Sequence, residues 1–279
     1  MKKKKIKIKY ENIILLSLII IFSIIIVFCV KEILSWDKDN KETNKQVEII
    51  TEKVEIVEKE DTEETEIVNP PEETIEEDPF NPYWDYINMN LMDVNFGDLK
   101  AMNDSTKGWI KVNGTTINYP FVQTTDNDYY LTRSFDKSYN EAGWIFLDYR
   151  NNITSLDKNT IIYGHGRLNK TMFGSLKNII NSDWYSNKDN YVVKMSTETE
   201  NTLWQVFSVY RIPTTSDYLQ IKFSSDNEYT RFLEKLKNRS VFDFNTNLTK
   251  DDKIITLSTC YNDSDKVVMH AKLIKSEKK

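Results

Sequence analysis

An uncharged apolar run near the N-terminus is the feature that most restricts what this chain can fold into. The run extends from Ile13 to Val30, and as a helix it would be roughly 27 Å long, close to the hydrocarbon thickness of a bilayer. Six lysines precede it within residues 1–9, which predicts a cytoplasmic N-terminus. A cleaved signal peptide is the alternative, but no small-residue cleavage pattern follows the run. We therefore expect a basic cytoplasmic tail at residues 1–12 and an uncleaved transmembrane signal anchor at residues 13–30.

Acidic residues are concentrated in the segment that follows this run. Residues 37–80 hold 17 acidic side chains against five lysines, and residues 37–79 contain no aromatic residue. This composition is typical of an extended, self-repelling tether, and it predicts an acidic extracellular stalk over residues 31–79. A short coiled coil is the alternative, although no heptad pattern persists. The portion of the chain after residue 80 is nearly neutral, so the sequence predicts no nucleic-acid partner.

Aromatic residues return abruptly at residue 80, and we place the start of a domain there, covering residues 80–279. One or two short helices are predicted within residues 83–103, and another over Thr171–Ile180. A longer helix is predicted over residues 225–238, because Ser225 and Glu228 form a capping box ahead of apolar residues at helical spacing.

Short β-like runs separated by turn signals such as Asn113-Gly114 make up most of the domain. The predicted strands are Gly108–Val112, Thr116–Val122, Gly143–Leu147, Asn159–Tyr163, Tyr191–Met195, Leu203–Ile212, Lys253–Thr259 and Lys266–Ile274. Many short strands with few helices favour a closed or nearly closed β-barrel with helical additions.

Cys260 is the single thiol outside the apolar run, because the other cysteine, Cys29, lies within it. A lone cysteine is either a buried structural residue or a nucleophile. Cys260 ends a strand-like run and faces a polar loop, where a substrate can reach it. Thiols ionise near pH 8.5 and need a partner at neutral pH. His165, at another strand-to-loop junction, is the candidate partner of the thiol. His270 lies inside the last strand and is predicted to be a barrel-wall or surface residue.

Acyl transfer also needs positive charge or N–H donors for the oxyanion. Lys266, after the Cys260 loop, and Arg167, two residues past His165, could supply it. Asp126 and Asp128 could in principle bind Ca²⁺, but solvated loop charges are the better interpretation. No phosphate-binding loop, dinucleotide fingerprint or metal cluster is recognisable, so we expect no cofactor and no metal.

At these residues the chain resembles the sortase family, over about residues 80–279. Thr256-Leu257-Ser258-Thr259-Cys260 resembles the family's TLxTC motif, and Tyr163-Gly164-His165 resembles its histidine motif. The order of histidine before cysteine is similar too, whereas papain-like enzymes have the opposite order. Further stretches resemble class B sortases: Gly108–Ile110, Tyr119–Gln123, Asp126–Leu131, Phe146–Arg150, Thr171–Gly174, Ala271–Ile274 and the capped helix at 225–238.

The resemblance implies a mainly β fold, a closed eight-stranded sortase-type barrel with N-terminal helices and an inserted helix before the cysteine strand. It implies a membrane-anchored cysteine transpeptidase of a Gram-positive bacterium. Such an enzyme cleaves an LPxTG-like or NPxTN-like C-terminal sorting signal after Thr and passes the acyl group from its thiol to a peptidoglycan amine. The implied partners are secreted proteins bearing that signal, the cell-wall amine and the membrane. The implied catalytic residues are Cys260, His165 and Lys266, and the implied substrate-binding residues are Asn127, Leu131, Ser258, Thr259 and Arg167.

One departure from the family pattern concerns the residue that begins the strand after the cysteine. The family has an arginine there, whereas this chain has Lys266, a compact cation without the planar fork of donors. Three interpretations stay open: Lys266 substitutes with lower efficiency, Arg167 or another arginine reaches in, or the protein is a weak or inactive sortase-fold module that binds sorting peptides at the cell surface. Gly166 also replaces a polar residue of the histidine motif, which is expected to loosen that loop.

Overall fold

A computed structural model describes residues 10–70 and 83–279 of the chain. The chain divides into two compact units, one ending at Lys45 and the other running from Gln46 to Lys279. Most of the predicted cytoplasmic tail, the end of the predicted stalk and the predicted domain start at residue 80 lie outside the described residues.

Five α-helices and eleven strands are present in the described residues. The helices are α1 Tyr10–Lys53, α2 Tyr83–Ile87, α3 Gly97–Met102, α4 Ser182–Tyr185 and α5 Asp226–Asn238. The strands are β1 Ile56–Lys59, β2 Thr65–Ile67, β3 Leu91–Val94, β4 Thr106–Val112, β5 Asn118–Val122, β6 Phe146–Leu147, β7 Asn159–Tyr163, β8 Val192–Thr197, β9 Glu200–Pro213, β10 Ile254–Cys260 and β11 Asp265–Lys278.

Helix α1 contains the apolar run and is long and apolar enough to cross a membrane, which is compatible with an anchor and also with a signal sequence. The helix continues through residues 37–53, so the predicted extended tether is wrong there. Lysine, glutamate and glutamine are good helix formers, and charges four residues apart pair, as Asp37 and Lys41 do at 2.6 Å. Their local preferences outweigh the repulsion that the net acidic charge implies.

Two short strands within the predicted stalk pair with distant parts of the second unit. Strand β1 pairs with β3, and β2 pairs with the C-terminal part of β11. Residues 46–70 therefore belong to the same compact unit as the barrel, whereas the sequence predicted the domain to begin at residue 80. The same pairing makes Leu91–Val94 a strand rather than part of a predicted helix, because β1 supplies hydrogen bonds that a local pattern does not reveal.

Strands β4 to β11 form a closed eight-stranded barrel, as predicted. Their order is β10-β7-β6-β5-β4-β8-β9-β11, and the pairing of β10 with β11 closes the sheet. The neighbours are antiparallel except for β5 with β6 and β7 with β10. All eight predicted strands are confirmed within a few residues, although β6 is shorter because Gly143 turns the chain with a φ of 62°.

Alternation along β10 and β11 sends side chains to opposite faces of the barrel wall. Ile255 and Leu257 of β10 join the main core cluster inside the barrel. Ile254 faces the other way and packs under α5 with Phe232 and Leu236. Cys260 stands an even number of residues from Ile254, so its side chain is on the outer face, beside the α5 cluster.

Helix α5 begins as the capping box predicts. The Ser225 hydroxyl accepts from the Glu228 N–H at 3.2 Å, and the Glu228 carboxylate accepts from the Ser224 N–H at 2.6 Å. The helix predicted over residues 171–180 is instead a short 3-10 helix, Gly174–Asn178. Met172 forms a bridge to Gly166 with a positive φ of 52°, which prevents a helix from starting earlier.

Candidate active site

The ends of β7 and β10 bring His165 and Cys260 together. These two strands are parallel, and Tyr163 is the partner of Ser258 at the last paired position. His165 and Cys260 each lie two residues further, beyond the last paired position, and both line the same cavity. The Thr259 hydroxyl ties the strands beyond their ladder by donating to the Gly164 carbonyl at 2.7 Å.

Gly166 packs directly against the end of β10. A Cβ at this position would lie 2.1 Å from the Cys260 carbonyl oxygen and 3.1 Å from the Thr259 hydroxyl oxygen. Real Cβ atoms do not approach so closely, so a larger residue here would push the segment that carries His165 away from Cys260. Glycine at this place therefore permits close packing, whereas the sequence predicted a looser loop.

Lys266 reaches the thiol from the neighbouring strand on the other side. Lys266 of β11 is the cross-strand partner of Cys260, and its Nζ donates a hydrogen bond to Cys260 Sγ at 2.9 Å. The Cys260 side chain is exposed to solvent. An ammonium group in this position stabilises negative charge on the sulfur and on an oxyanion formed next to it.

A backbone carbonyl orients the His165 ring. A carbonyl oxygen can only accept, so Nε2 carries a hydrogen and donates to the Leu131 carbonyl at 2.8 Å. Nδ1 is then the nitrogen available for proton exchange. Gly143 allows this approach, since a Cβ there would lie 2.8 Å from the imidazole and 2.8 Å from the Leu131 oxygen.

Burial lowers the pKa of His165, and the charges of Arg167 and Lys266 lower it further, against the opposing effect of the Leu131 hydrogen bond. The imidazole is therefore neutral near pH 7. This differs from the thiolate–imidazolium pair that an isolated cysteine–histidine dyad would favour. It makes His165 a proton acceptor in the resting site, with Lys266 as the cation beside the sulfur.

These three residues line one cavity of about 580 Å³ on the outer face of the barrel, a size typical of ligand pockets. Its other lining residues come from β6, from the ends of β7 and β10, from the connection between β5 and β6, and from the β9–α5 loop. They are Asn127, Leu131, Phe146, Tyr163, Gly164, Thr214, Thr215, Ser216, Tyr218, Leu219, Ser258 and Thr259. The thiol of Cys260 is thus accessible from solvent within this cavity.

Four of the five predicted substrate-binding residues line this cavity, and Arg167 does not. Arg167 Nη1 lies 3.4 Å from the Glu141 carbonyl oxygen. The Asn127 amide is already occupied, since it donates to Asp148 at 3.1 Å and accepts from the Tyr149 N–H at 3.0 Å. The interpretation in which Arg167 or another arginine takes the place of Lys266 gains no support, because no arginine of residues 83–279 lines the cavity.

The β9–α5 loop forms a wall of the cleft that the sequence did not reveal. Tyr218 is buried, and its hydroxyl hydrogen-bonds to the Ser258 hydroxyl at 2.9 Å. Polar loop residues carry no periodic signal, so only the capping box after them could have drawn attention to this region.

A buried charge network supports the floor of the cleft. The Arg150 guanidinium donates two hydrogen bonds, of 2.8 and 2.7 Å, to the carboxylate of the fully buried Asp148. The Tyr163 hydroxyl donates to the same carboxylate at 2.9 Å. Burial alone would raise the pKa of Asp148, but these donors outweigh it and lower the pKa. The carboxylate thus stays ionised and holds β7 beside the cleft.

Residues 110–274 match the family described as the Sortase domain, which is more than half of the chain. The chain belongs to the sortase family. Sortase B of Staphylococcus aureus is 36% identical over 184 residues, covering 64% of this sortase and 75% of that protein. A Bacillus anthracis crystal structure described as similar to sortase B is 44% identical, with a TM-score of 0.59, covering 64% of this chain and 82% of that one. A Staphylococcus aureus sortase B–substrate complex is 35% identical, with a TM-score of 0.61, covering 64% and 84%.

His270 and Asp126, which the sequence analysis also considered, have structural roles in this sortase. His270 is fully buried on β11, hydrogen-bonded to Tyr210 at 2.8 Å, so it is part of the barrel wall rather than the surface. Asp126 caps its own loop by accepting from the N–H groups of Asp128 and Tyr129 at 2.8 and 2.7 Å. Within residues 10–70 and 83–279, no three histidine, cysteine or acidic side chains form a group that could hold a metal ion.

Proposed function

We propose that this protein is a membrane-anchored cysteine transpeptidase of the sortase B type. It would cleave a C-terminal sorting signal of the LPxTG or NPxTN kind after Thr and transfer the secreted protein to a peptidoglycan amine. The observation that carries the proposal is the convergence of Cys260, His165 and Lys266 at one peptide-sized cleft in a sortase-family chain. The Staphylococcus aureus relative has been solved as a sortase B–substrate complex, which supports substrate binding by this chain.

The neutral His165 imidazole takes the thiol proton of Cys260 as the sulfur attacks the Thr carbonyl carbon. The Lys266 ammonium stabilises the oxyanion of the tetrahedral intermediate. His165 then returns the proton to the leaving amine, and the C–N bond breaks to give a thioacyl-enzyme. An incoming amine attacks the thioester, His165 accepts its proton, and the thiol is released.

The apolar helix would keep this domain at the extracellular face of the cell membrane, where secreted proteins emerge and wall precursors are exposed. The lysines before the run support a cytoplasmic N-terminus and an extracellular catalytic unit. Labelling of introduced cysteines with a membrane-impermeant reagent in intact cells tests this topology. Reaction at residue 5 and protection at residue 222 would contradict it.

The test of the activity is incubation of the full chain in detergent with peptides of both signal types, followed by intact-mass and product analysis. We expect cleavage after Thr and a thioacyl adduct, both lost in Cys260→Ala. Lys266→Ala should lower kcat/KM by roughly 10²–10³-fold, the usual effect of losing an oxyanion donor. Unchanged kcat/KM would remove Lys266 from the mechanism. Tight peptide binding without cleavage or adduct would instead favour a non-catalytic binding module.

A further inference from the structure

Lys266 places a primary amine beside the thiol, where it could compete with an external acceptor. Its Nζ lies 2.9 Å from Cys260 Sγ, and both residues line the cleft. They are directly paired across β10 and β11, so the barrel ladder fixes the separation of their backbones, and the lysine side chain bridges the remaining gap to the sulfur. An acyl carbon bonded to the sulfur can therefore come within the near-attack separation of about 3–3.5 Å of this amine.

Lysine differs from arginine at this position in more than the strength of its hydrogen bonds. A guanidinium stays protonated and does not act as an acyl acceptor, whereas a lysine amine becomes a nucleophile when it loses its proton. Primary amines are the class of acceptor that resolves a thioester in the proposed reaction. An amine built into the cleft is therefore a substrate for the thioacyl-enzyme as well as a stabiliser of its formation.

We propose that Lys266 is a self-acylation site, at which the thioacyl-enzyme transfers the sorting-signal acyl group from Cys260 to Lys266 Nζ. In this step the C–S bond breaks, a C–N amide bond forms, the amine proton passes to His165 or solvent, and the Cys260 thiol is regenerated. The step needs no oxidant or external co-reactant. It rests on the proposed transpeptidase function, because the acyl group must first be on the sulfur.

Proximity favours this internal transfer when no acceptor occupies the cleft. Well-oriented intramolecular nucleophiles react with effective molarities of about 10⁵ M or more, which exceeds the concentration of any dissolved amine. The attacking species is the neutral amine, whose lone pair forms the new bond to the acyl carbon. Its product is an amide, which leaves the peptide attached inside the cleft and removes the charge beside the sulfur. Each chain can therefore be modified once, and it is inactive afterwards.

The experiment uses the full chain in detergent with N-acetylated, lysine-free peptides of the LPxTG and NPxTN types and no added amine. Adducts are measured by intact mass before and after neutral hydroxylamine, which cleaves thioesters but leaves amides. We expect a hydroxylamine-resistant adduct of one acyl group per chain, mapped to Lys266 by tandem mass spectrometry.

Two variants separate the role of the amine from that of the charge. Lys266→Arg keeps a cation and should give only hydroxylamine-labile adduct. Lys177→Arg is the matched control, since its amine lies 6.0 Å from the Tyr261 ring centroid near the same hairpin and does not line the cleft. The resistant adduct should persist in this control, and Cys260→Ala should form neither adduct.

The outcomes distinguish this inference from the function on which it rests. Cleavage with only hydroxylamine-labile adducts in the wild-type chain would overturn self-acylation and leave the transpeptidase intact. A resistant adduct that maps elsewhere, or that forms in Cys260→Ala, would also overturn it. Absence of both cleavage and adduct in the wild-type chain and in Lys266→Arg would overturn the two proposals together.

Discussion

Acidification should destabilise the barrel through the buried His270 side chain. Thr256 has one hydroxyl hydrogen, which it donates to Asn159 Oδ1 at 2.6 Å, so it accepts from His270 Nδ1 at 2.9 Å. Nε2 then accepts from the Tyr210 hydroxyl at 2.8 Å. Burial, and after it the charge of Arg239, lower the pKa of His270 to about 3. The imidazole is thus neutral in the folded protein, and both of its nitrogens are already used.

The size of the effect follows from the difference between the folded and unfolded proteins. An unfolded histidine binds a proton near pH 6.5. Stability that depends on the neutral ring is therefore fully present above that pH and is lost as the pH falls towards 3. At about pH 5 the unfolded state gains about 2 kcal/mol from this one residue, relative to neutral pH. The figure depends little on the folded pKa as long as that value lies well below 5.

The measurement compares the wild-type chain with His270→Gln, which keeps hydrogen-bonding groups but does not titrate. Urea unfolding of the full chain in non-ionic detergent is followed by tryptophan fluorescence at about pH 7 and about pH 5. Other groups, including His165, contribute equally to both proteins and cancel in the difference between them. Wild type should lose about 2 kcal/mol more than the variant over this interval. Equal losses would refute the neutral, buried histidine.

Three further predictions concern residues around the cleft. Gly166→Ala should lower kcat/KM for peptide cleavage roughly a hundredfold by displacing the histidine strand, and a fully active variant would contradict the packing argument. Tyr218→Phe removes the hydrogen bond to Ser258 and should raise KM roughly fivefold with kcat retained, as steady-state kinetics would reveal. Arg150→Met leaves the buried Asp148 carboxylate without its main partner and should lower the free energy of unfolding by about 1–3 kcal/mol in urea titrations, whereas an unchanged midpoint would count against it.

Local patterns predicted the parts of the fold whose hydrogen bonds are local or whose strands are strongly apolar. The capping box at Ser225 marked the start of α5, and Asn159–Tyr163 was predicted with the bounds of β7. The strands β1 and β3 were missed because each depends on a partner more than 30 residues away. The helix over residues 37–53 was missed because net charge was weighed above the helix preference of its individual residues.

The candidate site was predicted to a similar extent. Motif order was enough to select Cys260 and His165, because both end strands that the barrel brings side by side. The roles of Leu131 and Gly166 could not be predicted, since they follow from backbone approaches of a few ångströms between segments distant in sequence. The contact of Lys266 with the sulfur depends on the pairing of these two residues across β10 and β11, which the sequence pattern did not show.

The turn between β10 and β11 also determines how Cys260 and Lys266 face each other. Cys260 ends β10 and Asp265 begins β11, and the Asn262 side chain closes the turn between them by accepting from the N–H groups of Ser264 and Asp265 at 3.0 and 2.7 Å. One inserted residue would move the lysine to the opposite face of the wall, and two would return it to the same face about 7 Å further along the strand. The length of this hairpin therefore sets whether the amine of residue 266 can contact the sulfur of Cys260.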